Sequence, residues 1–553
     1  MADPALPVPL GARLAERGWP SALRAHWPLA LILLAGGFLR WMSPGRIALW
    51  RDEAQYVAVA NLPGFAAITS FLYHNESHPP LYYYLGHVAG RLFGDVEGPM
   101  GALSLAASVG AIIAAYLIAS AAFSRVAGVI AALGVGLSVP LALYSVQLRP
   151  YALLALLLLV AQAALWRFWQ RGERRWLAVW GLTTVAALYT HYLTVLVVAA
   201  QGIAALWLLA RGVRPAGGGT RALLAGCGAI VALALPLLLL LPHQAATTSY
   251  PALRPLQLDG PPRLLLGIAL GFPFELVLPL VLAAALAIGA LGRRRWAREL
   301  VLDPRLLLIA PFPLFLLLAT AATYRSQFLT PHVLLGAAPL GPILFGAVVT
   351  ALHRSGARWK AAIWFESGVA LLALSALLAV GYSKTTMDAV ARGIMAEASP
   401  SDLVFVSPGV AGTSFNRYFH GSNSQFNYPY AGRLVRYPFG RDVERVSSEA
   451  AFRMALDSIH SAWSAGRRVW LVGDIRWIRS DQPAPDALPA ESFGGIGQAD
   501  RARVNRFERY LRWLYGPPVR QVGAVQFGSG PEAFAGWLFA HSEGAGGAGA
   551  SGR

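Results

Sequence analysis

Residues 50–56 read Trp50-Arg51-Asp52-Glu53-Ala54-Gln55-Tyr56, and this stretch decides the fold because of where it sits. An apolar run at about 27–43 precedes it and another at about 99–122 follows it. Ionised carboxylates are costly in hydrocarbon, so the Asp52-Glu53 pair belongs to a loop between two membrane crossings. Of the 553 residues 56% are hydrophobic and 13% charged, against about 25% charged in a soluble protein. Further apolar runs near the length of a bilayer crossing recur at about 127–146, 150–169, 177–190, 191–210, 222–242, 263–291, 305–323, 332–352 and 361–382. The expected fold is a polytopic α-helical membrane protein with about eleven spans over residues 1–382.

The net charge of +18 is distributed as a topology signal. Basic residues gather in short loops, at Arg171, Arg174 and Arg175, at Arg211, Arg214 and Arg221, at Arg293, Arg294, Arg295 and Arg298, and at Arg354, Arg358 and Lys360. Cytoplasmic loops retain such charge, which argues against a nucleic-acid partner. It places the N-terminus inside and the loop 44–97 outside. Arg40-Trp41 reads as an interfacial anchor closing the first span, and that span reads as an uncleaved helix. Residues 81–94 are short for a crossing and read as an amphipathic helix on the outer surface. The single cysteine, Cys227, lies in an apolar run and reads as a small buried hydrophobe.

The composition changes after residue 382. Short apolar runs at 401–407 and 468–474 flank a segment of helical periodicity at 448–465, and 501–515 reads as another helix. These features predict a small extracytoplasmic α/β domain over 383–542. The Gly/Ala/Ser-rich end, 543–553, reads as a disordered tail. No Walker loop, GxGxxG, CxxC or HExxH occurs, so an internal nucleotide or zinc site has no support.

The polar residues suited to chemistry lie in or beside the predicted outer loops. The loop 44–97 carries Asp52, Glu53, Glu76, Asp95 and Glu97. Asp52 and Glu53 have two readings. Acidic residues favour a helix N-terminus, so they could simply open a helix over Ala54–Asn61; alternatively Asp52 is a base, or a carboxylate that binds a substrate or a divalent ion. Adjacent helical side chains diverge by roughly 100°, so the two need not share a role. In Glu76-Ser77-His78-Pro79-Pro80-Leu81 two prolines fix an extended backbone, which either aims His78 into a site or makes a rigid turn with a solvated imidazole. Arg149, at the outer end of a span, could bind an anion through its planar fork or snorkel to lipid headgroups.

An outer loop with an Asp-Glu pair and then His78-Pro79-Pro80-Leu81 resembles the GT-C superfamily of membrane glycosyltransferases. Protein O-mannosyltransferases and the bacterial transferases of lipid A aminoarabinose and lipopolysaccharide core belong to that superfamily. The resemblance covers roughly the first 200 residues. It implies a catalytic Asp52, with Glu53 beside it, and places His78 near the phosphate of a polyprenyl-phosphate donor. Arg149-Pro150-Tyr151 and Tyr189-Thr190-His191-Tyr192 resemble motifs of the bacterial members, implying contacts from Arg149, Tyr151, His191 and Tyr192 to donor or acceptor. Relatives carry Arg-Tyr before a late span where this chain has Gln327-Phe328. Arg325, two residues earlier, is the remaining candidate for that role.

The resemblance thus implies transfer of a sugar from a lipid-linked donor to a glycolipid or cell-envelope glycan hydroxyl, with a protein hydroxyl the lesser option. A divalent ion is a further possibility and the metal ligands are unassigned. The competing reading is a multi-helix transporter or lipid flippase. Transporters tend to show internal repeats and broken helices around a midplane site, whereas the polar candidates here collect at one face.

Overall fold

The computed structural model describes residues 19–42, 48–247, 258–271, 294–324, 331–378, 385–407, 409–437, 449–473, 520–522 and 535–539, with positions 281, 283, 284 and 286. Arg325, the expected helix at 501–515 and the tail 543–553 lie outside the described residues.

Three described helices are long and apolar enough to cross a bilayer, namely Glu97–Ala122, Tyr151–Arg171 and the helix beginning at Thr220. Thr194–Ala210, Pro311–Ala322 and Leu340–Arg354 are apolar but shorter, so length and hydropathy do not reproduce eleven spans among the described residues. Trp166, Phe168, Trp169, Phe312 and Phe315 lie in one continuous apolar core shared by these helices. The expected span 127–146 is not one rod. It divides into Arg125–Gly136 and Val139–Ser145, bent by 59°, with Ser138 Oγ accepting from the Leu141 N–H at 3.2 Å to start the second piece.

A break inside an apolar core strands the carbonyls that end the first piece. Arg40 satisfies them. It sits one residue from the end of the Trp19–Trp41 helix, and its Nη1 and Nη2 donate to the Gly136 and Val135 carbonyls at 2.8 and 3.2 Å. Its Nε donates to Ser108 Oγ at 2.7 Å. With 1% of its surface exposed, Arg40 is a cap for a broken helix and not the expected interfacial anchor; Trp41, 67% exposed, keeps the outward position. The two segments approach closely because both contact positions are glycine: a Cβ on Gly36 would stand 2.8 Å from the Gly136 oxygen. Cys227 also departs from expectation. It is exposed, on the outward side of its helix.

The loop after the first helix is itself helical. Arg51–Ala60, Phe65–Asn75 and Leu81–Phe93 pack around Tyr56, Val59, Ile68, Leu72, Tyr82 and Leu148. Tyr56 lies across the Leu81–Phe93 helix at Gly86, where a Cβ would collide with its hydroxyl. The middle helix had no counterpart in the sequence reading.

The C-terminal part is a three-layer α/β unit. Its six-stranded sheet has the order β3-β2-β1-β4-β6-β5, with β1 Leu403–Val406, β2 Ser424–Asn427, β3 Tyr430–Ala431, β4 Val469–Gly473, β5 Arg520–Val522 and β6 Ala535–Phe539. β1 runs parallel to β2 and β4, while β6 is antiparallel to β4 and β5. Side chains alternate across a strand, so Leu403, Phe405, Val469 and Leu471 pack on the Glu449–Ser464 helix. Val404, Val406, Trp470 and Val472 pack on the Met387–Glu397 side.

This unit is fastened to the loop helices. Gln55, 2% exposed, donates from Nε2 to the Tyr437 carbonyl and accepts from the Tyr437 N–H at its Oε1, both at 2.9 Å. Thr413 Oγ1 donates to the Arg51 carbonyl at 3.3 Å, and Tyr418 Oη accepts from the Leu49 N–H at 2.6 Å. Arg417 pairs with Glu97.

Candidate active site

The site forms where the Arg51–Ala60 helix, the Glu76–Pro80 turn and the Val146–Pro150 turn meet. Trp50 caps the helix, so Asp52 and Glu53 both fall in its first turn, three residues earlier than the start expected. They then part. Glu53 is fully buried; its Oε2 accepts from the Trp50 N–H at 3.3 Å, the reciprocal arm of a capping box. Its Oε1 accepts from the Leu148 N–H at 2.7 Å. The capping reading therefore describes Glu53, and the second bond draws the 146–149 turn against the helix.

Asp52 faces the other way and keeps 24% of its side chain exposed. Its Oδ2 lies 3.4 Å from Arg149 Nη2, and its Oδ1 lies 3.5 Å from Arg51 Nε. Arg149 is buried and directed inward, not outward to headgroup level as a snorkelling arginine would be. Burial works against its charge, but the Asp52 carboxylate beside it holds its pKa above the ordinary guanidinium value.

The same Nη2 lies 3.4 Å from His78 Nε2. The other ring nitrogen, Nδ1, is 2.9 Å from Glu76 Oε1. A carboxylate accepts and a guanidinium donates, so both contacts are made at once by the tautomer with hydrogen on Nδ1 and a lone pair on Nε2. The turn is held from behind: Gln244 Nε2 donates to the Leu72 and His78 carbonyls at 3.1 and 3.3 Å, and Tyr192 Oη donates to Gln244 Oε1 at 2.5 Å.

His191 joins the group. Its ring centroid lies 6.2 Å from that of His78 and 6.0 Å from that of Tyr151, and its Nδ1 accepts from the Leu193 N–H at 3.1 Å, which leaves Nε2 as the protonated nitrogen of the neutral ring. The Arg149 guanidinium carbon stands 5.9 Å from the Tyr151 ring centroid. His78, Tyr56, Tyr82, Tyr83 and Arg149 line one cleft, while Tyr151 lines a neighbouring one with Arg40 and Tyr144. Burial pushes the Tyr56 and Tyr83 hydroxyls well above the ordinary phenol range, so both stay neutral at any physiological pH.

The structure thus brings together Asp52, His78, Arg149, Tyr151 and His191. Tyr192 is turned to support the His78 backbone, Glu53 is turned to backbone amides, and Arg325 lies outside the described residues. Sequence reasoning gave no role to Glu76, Gln55 or Gln244; the two-residue spacing of Glu76 and His78 was the available signal for the first. The described residues at the site do not form a divalent-ion centre. Among the described residues no three His, Cys, Asp or Glu side chains group as a metal cluster, Asp52 faces two arginines and Glu53 accepts from backbone.

Residues 77–243 match the family model described as dolichyl-phosphate-mannose-protein mannosyltransferase. That segment includes His78, Arg149, Tyr151, His191 and Tyr192, and Asp52 and Glu53 lie before it. The fold itself matches the apo crystal structure of the Archaeoglobus fulgidus oligosaccharyltransferase with a TM-score of 0.51 and 14% identity, over 83% of this chain and 70% of that one. The chain shares the fold of that oligosaccharyltransferase. ArnT from Cupriavidus metallidurans in the apo state aligns with a TM-score of 0.48 and 14% identity, over 82% of this chain and 93% of that one. No curated protein is significantly similar in sequence. Within this fold the Asp52–Arg149–His78 group lies against the C-terminal unit, through the contacts of Leu49, Arg51 and Gln55 with that unit.

Proposed function

We propose that the protein is a membrane glycosyltransferase that moves a sugar from a polyprenyl-phosphate donor to a hydroxyl of a cell-envelope glycolipid or glycan, on the outer face of a bacterial plasma membrane. The observation that carries this reading is the meeting of Asp52, Arg149 and His78, a partly open carboxylate beside a buried cation and an oriented imidazole. Transfer needs a base for the acceptor proton and a cationic or hydrogen-bonding group for the charge that develops on the phosphate. In this account Asp52 takes the acceptor hydroxyl proton as its oxygen attacks the anomeric carbon from the face opposite the phosphate, inverting the configuration. Arg149 receives the phosphate oxygens through its planar fork, and Glu53 positions Arg149 by holding the Leu148 amide.

The match of residues 77–243 to the mannosyltransferase family model supports a lipid-phosphate sugar as donor. The ArnT structure bound to undecaprenyl phosphate and the archaeal oligosaccharyltransferase structure with a dolichol phosphate describe those proteins and suggest which lipids to try. Purified protein incubated with a panel of polyprenyl-phosphate sugars and an envelope glycan extract tests the reading. Release of free polyprenyl phosphate that depends on the extract supports it. Absence of release with every donor and extract, in protein that remains folded, rejects it.

A further inference from the structure

Irregular backbone inside a membrane domain is tolerated where it is buried in protein or lines a cavity, and the break after Gly136 does both. Val135 before it and Tyr144 after it line a cavity together with Arg40, Ser108, Tyr151 and Ala155. Its volume of about 20 Å³ leaves room for one or two water-sized atoms. Asp52, His78 and Arg149 are not among the residues that line it. The donors in this cavity outnumber their acceptors. A guanidinium has five N–H groups. Arg40 gives Nε–H to Ser108 Oγ at 2.7 Å, the two of Nη1 to the Gly36 and Gly136 carbonyls at 2.9 and 2.8 Å, and one of Nη2 to the Val135 carbonyl at 3.2 Å. The second N–H of Nη2 has no acceptor among the described residues. Ser108, which accepts from Nε, likewise donates its own O–H to no group among them. The partners of Arg40 are three carbonyls and a hydroxyl, and among the described residues no carboxylate pairs with it or lines the cavity. Arginine keeps its proton in proteins, and a buried charge is costly unless it is paired. The carbonyls that end the Arg125–Gly136 helix offset part of that cost as dipoles; a negative charge would offset the rest.

We propose that this cavity is a binding site for one small monovalent anion of the chloride class, held by the remaining N–H of Arg40 and the O–H of Ser108. A water molecule would accept from the same two donors but brings no charge to set against the guanidinium. A carboxylate carried on a sugar would have to bring its ring into a space of one or two waters, so the ligand is a free ion and not a part of the substrate. The ion completes the cap on the broken helix. Through Arg40 it is joined to the carbonyls of Val135 and Gly136, and through Ser108 to the Glu97–Ala122 helix. The site also backs onto the candidate active site. Tyr151 forms part of its wall, with its ring 6.0 Å from that of Tyr144 between centroids and 5.9 Å from the Arg149 guanidinium carbon. Ser104, whose hydroxyl lies 3.1 Å from Tyr82 Oη in the neighbouring cleft, is one helical turn from Ser108 on the same face.

The test melts the full-length protein in detergent across a series of sodium chloride concentrations. Sodium gluconate, whose anion is too large for the cavity, keeps the ionic strength constant. A ligand that binds the folded state alone raises stability with the logarithm of its concentration once the site begins to fill. The expected result is a rise in melting temperature of roughly one to a few degrees for each tenfold increase in chloride, with bromide acting in the same way. Two variants locate the ion. Ser108→Ala removes the O–H donor and is expected to move the chloride series to concentrations about tenfold higher or more. Ala155→Val adds two methyl groups to the cavity wall without touching a polar group, and is expected to abolish the response. Equal melting temperatures in chloride and gluconate overturn the proposal. So does a chloride response that persists at full strength in Ser108→Ala or in Ala155→Val, because the ion would then bind elsewhere.

Discussion

Replacing Arg149 by Ala removes the one guanidinium that touches both Asp52 and His78, and the expected consequence is specific to the phosphate. Among the described residues its buried Nε has no hydrogen-bond partner, so the fork retains donor capacity beyond the two contacts made by Nη2. A phosphate that takes two charge-assisted bonds from this fork gains about 1.5–3 kcal/mol from each. Loss of both corresponds to weakening by roughly two to four powers of ten, at about 1.4 kcal/mol per tenfold. The variant also takes the Arg149 charge from beside the Asp52 carboxylate, which adds to the loss. The assay is the binding of polyprenyl phosphate against that of the corresponding polyprenol, which lacks the phosphate. Arg149→Ala is expected to lose the preference for the phosphate and to keep the polyprenol affinity. Arg149→Lys should recover only part of it, because a single ammonium cannot replace a planar fork. A folded Arg149→Ala protein that binds polyprenyl phosphate as the unaltered protein does would refute the reasoning.

Arg40→Leu should lower the melting temperature in detergent by several degrees, because the Val135 and Gly136 carbonyls lose their donors inside an apolar core, at about 1–3 kcal/mol for each orphaned acceptor; an unchanged transition would show that the broken helix does not depend on this cap. Gln55→Leu removes the Gln55 hydrogen bonds to both backbone groups of Tyr437, at about 0.5–1.5 kcal/mol for each, and should raise hydrogen exchange across residues 430–437 while leaving exchange in the Glu449–Ser464 helix unchanged. Protection equal to that of the unaltered protein would mean that Gln55 does not hold the C-terminal unit. Glu53→Gln can accept one backbone N–H but presents an amide to the other, so it should lower thermal stability and, by loosening the 146–149 turn, weaken donor binding. A loss of turnover with stability and donor binding intact would instead assign Glu53 a direct part in the chemistry.

Much of this was legible from residue types and spacing. The strands at 403–406 and 469–473 were marked by apolar runs bounded by polar residues, and their alternation sorts onto the two sides of the sheet. Asp52, His78 and Arg149 were singled out by motif resemblance, and the structure places them in contact. What escaped depends on contacts between distant positions. Arg40 beside Trp41 at a helix end looks interfacial, and only the carbonyls of the Arg125–Gly136 helix, almost a hundred residues away, reveal it as a cap. Glu53 looks equivalent to Asp52 until the Leu148 amide claims it. The break at 137–138 was hidden because both halves are apolar, and a hydropathy window sees a single run. Gln55, Gln244 and Tyr192 are ordinary polar residues in sequence, and their parts arise only because the fold brings backbone groups of Tyr437 and His78 to them.

Asp52→Asn separates a base from a helix cap. The amide preserves size and much of the hydrogen bonding to Arg51 and Arg149, and it could serve the helix N-terminus nearly as well as the acid, but it cannot accept the acceptor proton. In single-turnover measurements with a saturating lipid-linked sugar, the account predicts a rate lower by roughly two orders of magnitude or more, with the melting temperature little changed and the donor bound at least as tightly. An Asp52→Asn protein that turns over at close to the unaltered rate would contradict the account.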